Sequence, residues 1–141
     1  MVAMREFEAV AMELITAFDI KSPPIPIESM LQHPQEGMWQ EVDLRNLSIS
    51  FLSVRETYSP RMSLCRLLAR HVITSEWGHN RGTDQIHTEE DIHRFARMLI
   101  MPLEMVQALS SGARNPTTMS LHFEVPEEDA RLRLEEIARY R

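Results

Sequence analysis

The chain has 141 residues, 43% hydrophobic and 26% charged, enough for one globular domain with a buried core. No run approaches the roughly 18 to 20 apolar residues of a membrane span, and Glu6 follows the first methionine too closely for a signal peptide. A net charge of −6, with no basic stretch and Lys21 as the single lysine, argues against non-specific nucleic-acid binding, which depends on displacing counterions with cations.

In chain order, Met4, Phe7, Ala11, Leu14 and Phe18 form one stripe of a 3.6-residue period, which predicts an N-terminal helix. The proline cluster at Pro23, Pro24 and Pro26 is expected to end it. A short helix is predicted over residues 27–32. Residues 37–42 and 47–54 are rich in β-branched and aromatic side chains, and Leu47, Ile49 and Phe51 alternate with Ser48, Ser50 and Leu52. That pattern predicts a small antiparallel sheet of about three strands, joined through residues 43–46.

After Ser59-Pro60 the helical period returns. Residues 61–74 carry Leu64, Leu68 and Val72 on one face, and residues 78–82 are read as a polar loop. Thr88 followed by Glu89, Glu90 and Asp91 is a helix start: a hydroxyl cap, then acids in the positive first turn. Ile92, Phe95, Ala96 and Leu99 mark its buried face. Further helices are predicted from Pro102 through Leu109, over residues 118–123 and over residues 126–140. The order of helix, small sheet and several helices is α+β, in a single domain spanning residues 1–141.

Two segments then carry the chemistry. The first runs Pro60-Arg61-Met62-Ser63-Leu64-Cys65-Arg66-Leu67-Leu68-Ala69-Arg70-His71, and the second runs from Glu89 through Phe95-Ala96 to Leu99-Ile100-Met101-Pro102. Together they resemble the two signature blocks of the ImmA/IrrE family of zincin-like metallopeptidases, roughly R-F-[TS]-L-A-H-E-L-G-H and E-x-x-A-[ND]-x-F-A-x-x-L-L-M-P. The flanks, Ser22-Pro23-Pro24-Ile25-Pro26-Ile27 and Leu121-His122-Phe123-Glu124-Val125-Pro126, are similar to the family's entry and C-terminal helical piece. The resemblance covers nearly the whole chain. It implies a sheet packed with an active-site helix pair. It also implies a bacterial or phage gene-regulation setting, in which relatives act on helix-turn-helix repressors.

The departure lies in the catalytic core. The H-E-x-x-H motif places two histidines on one helical face for Zn²⁺, with a glutamate to polarise the metal-bound water. In register, this chain offers Arg66 and Arg70 for the histidines, Leu67 for the glutamate and Ala69 for the glycine. Arginine stays protonated and has no lone pair to give, and leucine accepts no proton. Of the implied ligands only Glu89 remains. The expectation is therefore a pseudoenzyme without zinc or any other cofactor, whose former cleft at Arg66, Leu67, Arg70 and Glu89 binds a protein segment or small effector. Arg66 and Arg70, one turn apart, could replace the metal's charge by pairing with Glu89. Ordinary surface charge is the equal alternative.

Three other readings are weighed beside this one. His71, Glu76 and His79, with His87 and His93, could form a displaced zinc-peptidase site, although no pair has the i, i+4 spacing a helix-borne site needs. A structural or homo-oligomer-forming module with a filled cleft is the second. The helix-turn-helix outline of residues 118–140 raises DNA binding. Glu127, Glu128 and Asp129 at the head of the second helix would meet phosphates, so packing onto the domain is preferred. Cys65 reads as a small buried hydrophobe in a reducing cytoplasm, and the ten methionines read as core before docking surface.

Overall fold

The computed structural model describes residues 3–46 and 57–140. Helix α1, Phe7–Ala17, follows a 3₁₀ turn at Met4–Glu6 and buries Phe7, Ala11, Leu14 and Ile15. It ends before the prolines. Asp19 adopts a left-handed conformation (φ 57°), which lets the Ile20 N–H reach back to the Ile15 carbonyl and the Asp19 N–H to that of Thr16. This Schellman arrangement satisfies two carbonyls that an abrupt stop would orphan. Helix α2, Ile27–Gln32, buries Ile27, Met30 and Leu31.

The expected α+β architecture is not observed: the described residues form helices and loops, with no strand among them. Residues 37–42 are irregular, and their polar groups answer to helix ends instead of a neighbouring strand. The Val42 N–H and the Trp39 indole both donate to the Leu31 carbonyl, at 3.1 and 3.4 Å, and the Gly37 carbonyl accepts from the Trp77 N–H at 2.8 Å. Trp39 is buried and stacks on Phe18 with ring centroids 6.1 Å apart. A tryptophan sunk between helices meets the same need as a strand's inward face, so the β-branched and aromatic composition of residues 37–42 was open to either outcome. The second predicted strand, residues 47–54, lies outside the described residues.

Helix α3, Ser59–Thr74, buries Met62, Leu64, Cys65, Leu68, Ala69, Val72 and Ile73. The predicted polar loop begins instead as a short helix α4, Glu76–His79, whose Ser75 cap accepts from the Gly78 N–H at 2.9 Å. Gly78 is buried so closely that a β-carbon there would lie 2.1 Å from the Val72 carbonyl oxygen, so the position admits only glycine. Helix α5, Glu89–Ile100, is capped by Thr88, whose hydroxyl accepts from the Asp91 N–H. Helix α6, Leu103–Gln107, follows Pro102, and α7, Pro116–Phe123, is capped by Asn115. Helix α8 is Glu127–Ala138. Helix α5 is the hub, packed by α3, α1 and α8, while α7 packs on α8, α2 on α3 and α6 on α1.

Helix α8 does not dock by an apolar stripe. Its buried residues are Asp129, Ala130, Arg133 and Glu136. Arg133 is fully buried and forks onto the Glu8 carboxylate of α1 at 2.5 and 2.7 Å, while its Nε donates to the Met101 carbonyl at 3.0 Å. The Tyr140 hydroxyl donates to the same carboxylate at 2.5 Å. Removing one partner of such a pair strands a buried charge, which costs about 3–5 kcal/mol, whereas replacing both by apolar groups is close to neutral. Chemical denaturation should therefore show Glu8→Leu and Arg133→Met each destabilised by about 3 kcal/mol or more. The double variant should recover most of that loss, and equal additive losses would contradict the arrangement.

Candidate functional site

The segments singled out in sequence lie against each other: α3 packs along α5, and the Cys65 thiol donates to the Ala96 carbonyl at 3.2 Å. Burial pushes that thiol up to about 12, leaving it protonated and unreactive. Leu67 is half-buried against the core and Ala69 is fully buried.

The two arginines part company. Arg70 reaches across to α5 and donates to Glu89 at 2.6 Å, with both side chains substantially exposed. The Arg70 guanidinium holds the Glu89 carboxyl below its usual range. His93, one turn along α5, stands 3.7 Å from the same carboxylate. Arg66 does not join them. It turns toward α8, with its guanidinium 3.5 Å from the buried Asp129 carboxylate. The pairing of both arginines with Glu89 is thus corrected to Arg70 alone.

Asp129 and Glu136 are what draw Arg66 away. These two carboxylates, two turns apart on the inward face of α8, gather guanidinium groups from α3 and α5. Arg97 forks onto Glu136 at 3.1 and 2.5 Å and lies 3.8 Å from Asp129, and Arg94 stands 3.7 Å from Glu136. Burial raises the Asp129 carboxyl above its usual range, with Arg66 and Arg97 pulling the other way. Three guanidiniums share two carboxylates, and the buried Nε atoms of Arg66 and Arg94 have no hydrogen-bond partner among the described residues. Beside this network, a cleft of about 420 Å³ opens between α5 and α8, lined by Glu90, His93, Arg94, Glu136 and Arg139 among others. Sequence reasoning assigns no role to Arg94, Arg97 or Glu136, and places Asp129 only at the head of its helix. The available signal was the spacing of Asp129, Arg133 and Glu136 on one helical face of α8, opposite a thin apolar set.

The displaced-site candidates are dispersed. His71 is half-buried on α3, Glu76 and His79 are exposed on α4, and His87 is exposed before α5. Among the described residues, no three His, Cys, Asp or Glu side chains converge as a metal site would require. Nor is any helix among them long and apolar enough to cross a membrane.

Burial lowers His71 and His93 below the ordinary histidine value, with Arg66 as the next cause at His93. A histidine depressed in the fold binds fewer protons there than in the unfolded chain. Its contribution is present above the unfolded value of about 6.5 and is lost as pH falls through the folded value. Asp129 acts in the opposite sense, over the carboxylate range. Melting temperature should thus fall between about pH 7.5 and pH 5.5, and the His71→Gln/His93→Gln double variant should show a shallower slope. An unchanged slope would remove the assignment.

Searched by sequence and by structure, the chain matches no family model, no curated protein and no solved structure.

Proposed function

We propose that this chain is a non-catalytic binding module that keeps the helix pair of an ImmA/IrrE-type peptidase and uses it to engage a protein segment. One observation carries the reading: the Arg70–Glu89 ion pair bridges α3 and α5 at 2.6 Å, at the positions where the resemblance assigns a metal ligand on each helix. A guanidinium cannot ligate zinc, but it can supply the positive charge that a metal would bring to Glu89. Leu67 supplies no general base in the position of the catalytic glutamate. With neither Lewis acid nor base provided by these positions, binding is the function left to the pair.

Both side chains of the bridge are accessible enough to exchange partners. An incoming chain with a carboxylate for Arg70 or a cation for Glu89 could replace the internal contact at little cost, since exposed ion pairs contribute roughly 0–1 kcal/mol. Regulators of the helix-turn-helix kind are the partners that the resemblance implies. The proposed compartment is the cytoplasm, where the lone thiol of Cys65 needs no partner.

Restoring the motif tests the reading directly. The variant Arg66→His/Leu67→Glu/Arg70→His rebuilds H-E-x-x-H on α3, with Glu89 available as third ligand. After dialysis against zinc, elemental analysis should find about one zinc per chain in this variant and well below a tenth of that in the parent. A folded triple variant that takes up no zinc would sink the proposed ancestry of the helix pair. Stoichiometric zinc in the parent, with chelator-sensitive peptide cleavage, would sink the non-catalytic reading in favour of a displaced histidine site.

A further inference from the structure

We propose that the groove between α1 and α6 is a docking site for a basic amphipathic helix of a partner protein. Two cavities, of about 380 and 350 Å³, lie end to end along α1 and share Met12 and Glu104 as common walls. The first is floored by Ala9, Met12 and Leu103, and the second adds Ile20, Met105 and Ala108. These side chains are half-buried or exposed, unlike Met98 and Met101, which are sealed in the core. Methionine's unbranched, polarizable side chain re-packs readily against varied apolar partners, so Met12 and Met105 suit a face that must accept another chain. The eleven residues of α1 extend about 16 Å, so three turns of a partner helix could lie along it, presenting apolar residues at i, i+3, i+4 and i+7.

Charge decides the occupant. Several groups around the groove are already engaged: Glu8 by Arg133, Asp19 by Lys21 at 3.0 Å, and Arg5 over the Tyr140 ring at 5.2 Å. Glu6 and Glu104 stand exposed on the rim, and neither has an ion-pair partner among the described residues. A helix with arginine or lysine flanking its apolar stripe would meet both carboxylates. A second copy of this chain, itself at −6, would bring net negative charge to a negative rim. No residue of the groove belongs to α3 or α5, so this inference stands or falls apart from the proposed role of that helix pair.

The test uses the full chain and a fluorescein-labelled peptide of about 16 leucines and arginines, with the leucines on one helical face. Two controls carry the same leucines with glutamates for arginines, or the same composition with the leucines scattered. Anisotropy should give micromolar binding for the first peptide only, weakened by added salt. Glu104→Arg and Met12→Asp should each raise its Kd about tenfold or more, while Leu121→Asp, at the exposed leucine of α7, should leave it unchanged. Circular dichroism establishes that each variant is folded, and exposed Glu104 keeps the test alive if Met12→Asp is not. Equal binding of all three peptides, no binding of the first, or indifference to Glu104→Arg would overturn the proposal. So would a parent dimer in sedimentation that Glu104→Arg dissociates, because the occupant would then be a second copy.

Discussion

The Arg133–Glu8 fork is the constraint around which the C-terminal half is arranged. A fully buried guanidinium tolerates few partners: it needs a carboxylate in its plane and acceptors for its remaining N–H groups. Glu8 on α1 supplies that carboxylate and the Met101 carbonyl at the end of α5 accepts from Nε, while the Tyr140 hydroxyl donates to the same carboxylate. The geometry fixes how α8 is rotated about its axis and how far it slides along α1. An apolar helix face could settle at several nearby angles, because dispersion contacts are not directional. A bidentate ion pair has one.

Once α8 is so rotated, Asp129 and Glu136 must also face inward, one turn to either side of Arg133. Buried carboxylates need cations, and α5 provides Arg97 and Arg94 while α3 provides Arg66. The resulting layer of charge between helices takes the place of a hydrophobic seam. It also explains the split fate of the arginines on α3. Arg66 is close enough to the deficit on α8 to be drawn there, whereas Arg70, one turn later, faces the head of α5 and finds Glu89.

The proposed functions therefore sit on different faces and depend on different physics. On the α3–α5 face an accessible ion pair occupies positions that the resemblance assigns to metal ligands, and its weakness is what would let another chain displace it. On the α1–α6 face half-covered methionines meet carboxylates that have no ion-pair partner among the described residues, and the driving force would be apolar burial with charge setting the choice of partner. The expected pH response draws on the same α3–α5 face, since burial of His93, and after it the neighbouring Arg66, disfavours its protonation.

The sequence alone determined most of the helices, because each carries its own periodicity and punctuation: Thr88 and the acids after it, Leu64, Leu68 and Val72 one turn apart, Pro60 near the start of α3. It also determined that Arg66, Leu67 and Arg70 cannot perform zinc chemistry, since that follows from the side chains themselves. It did not determine the outcome for residues 37–42, where β-branched and aromatic composition describes burial more than extension. A tryptophan packed among helices satisfies it as well as a sheet would. Nor could it tell that the charges of α8 point inward, because Asp129, Arg133 and Glu136 read as solvated until their partners on α1, α3 and α5 are known. Only the tertiary structure brings together groups 125 residues apart, such as Glu8 and Arg133, and burial of charge is decided by such partners and not by the residue's own preference.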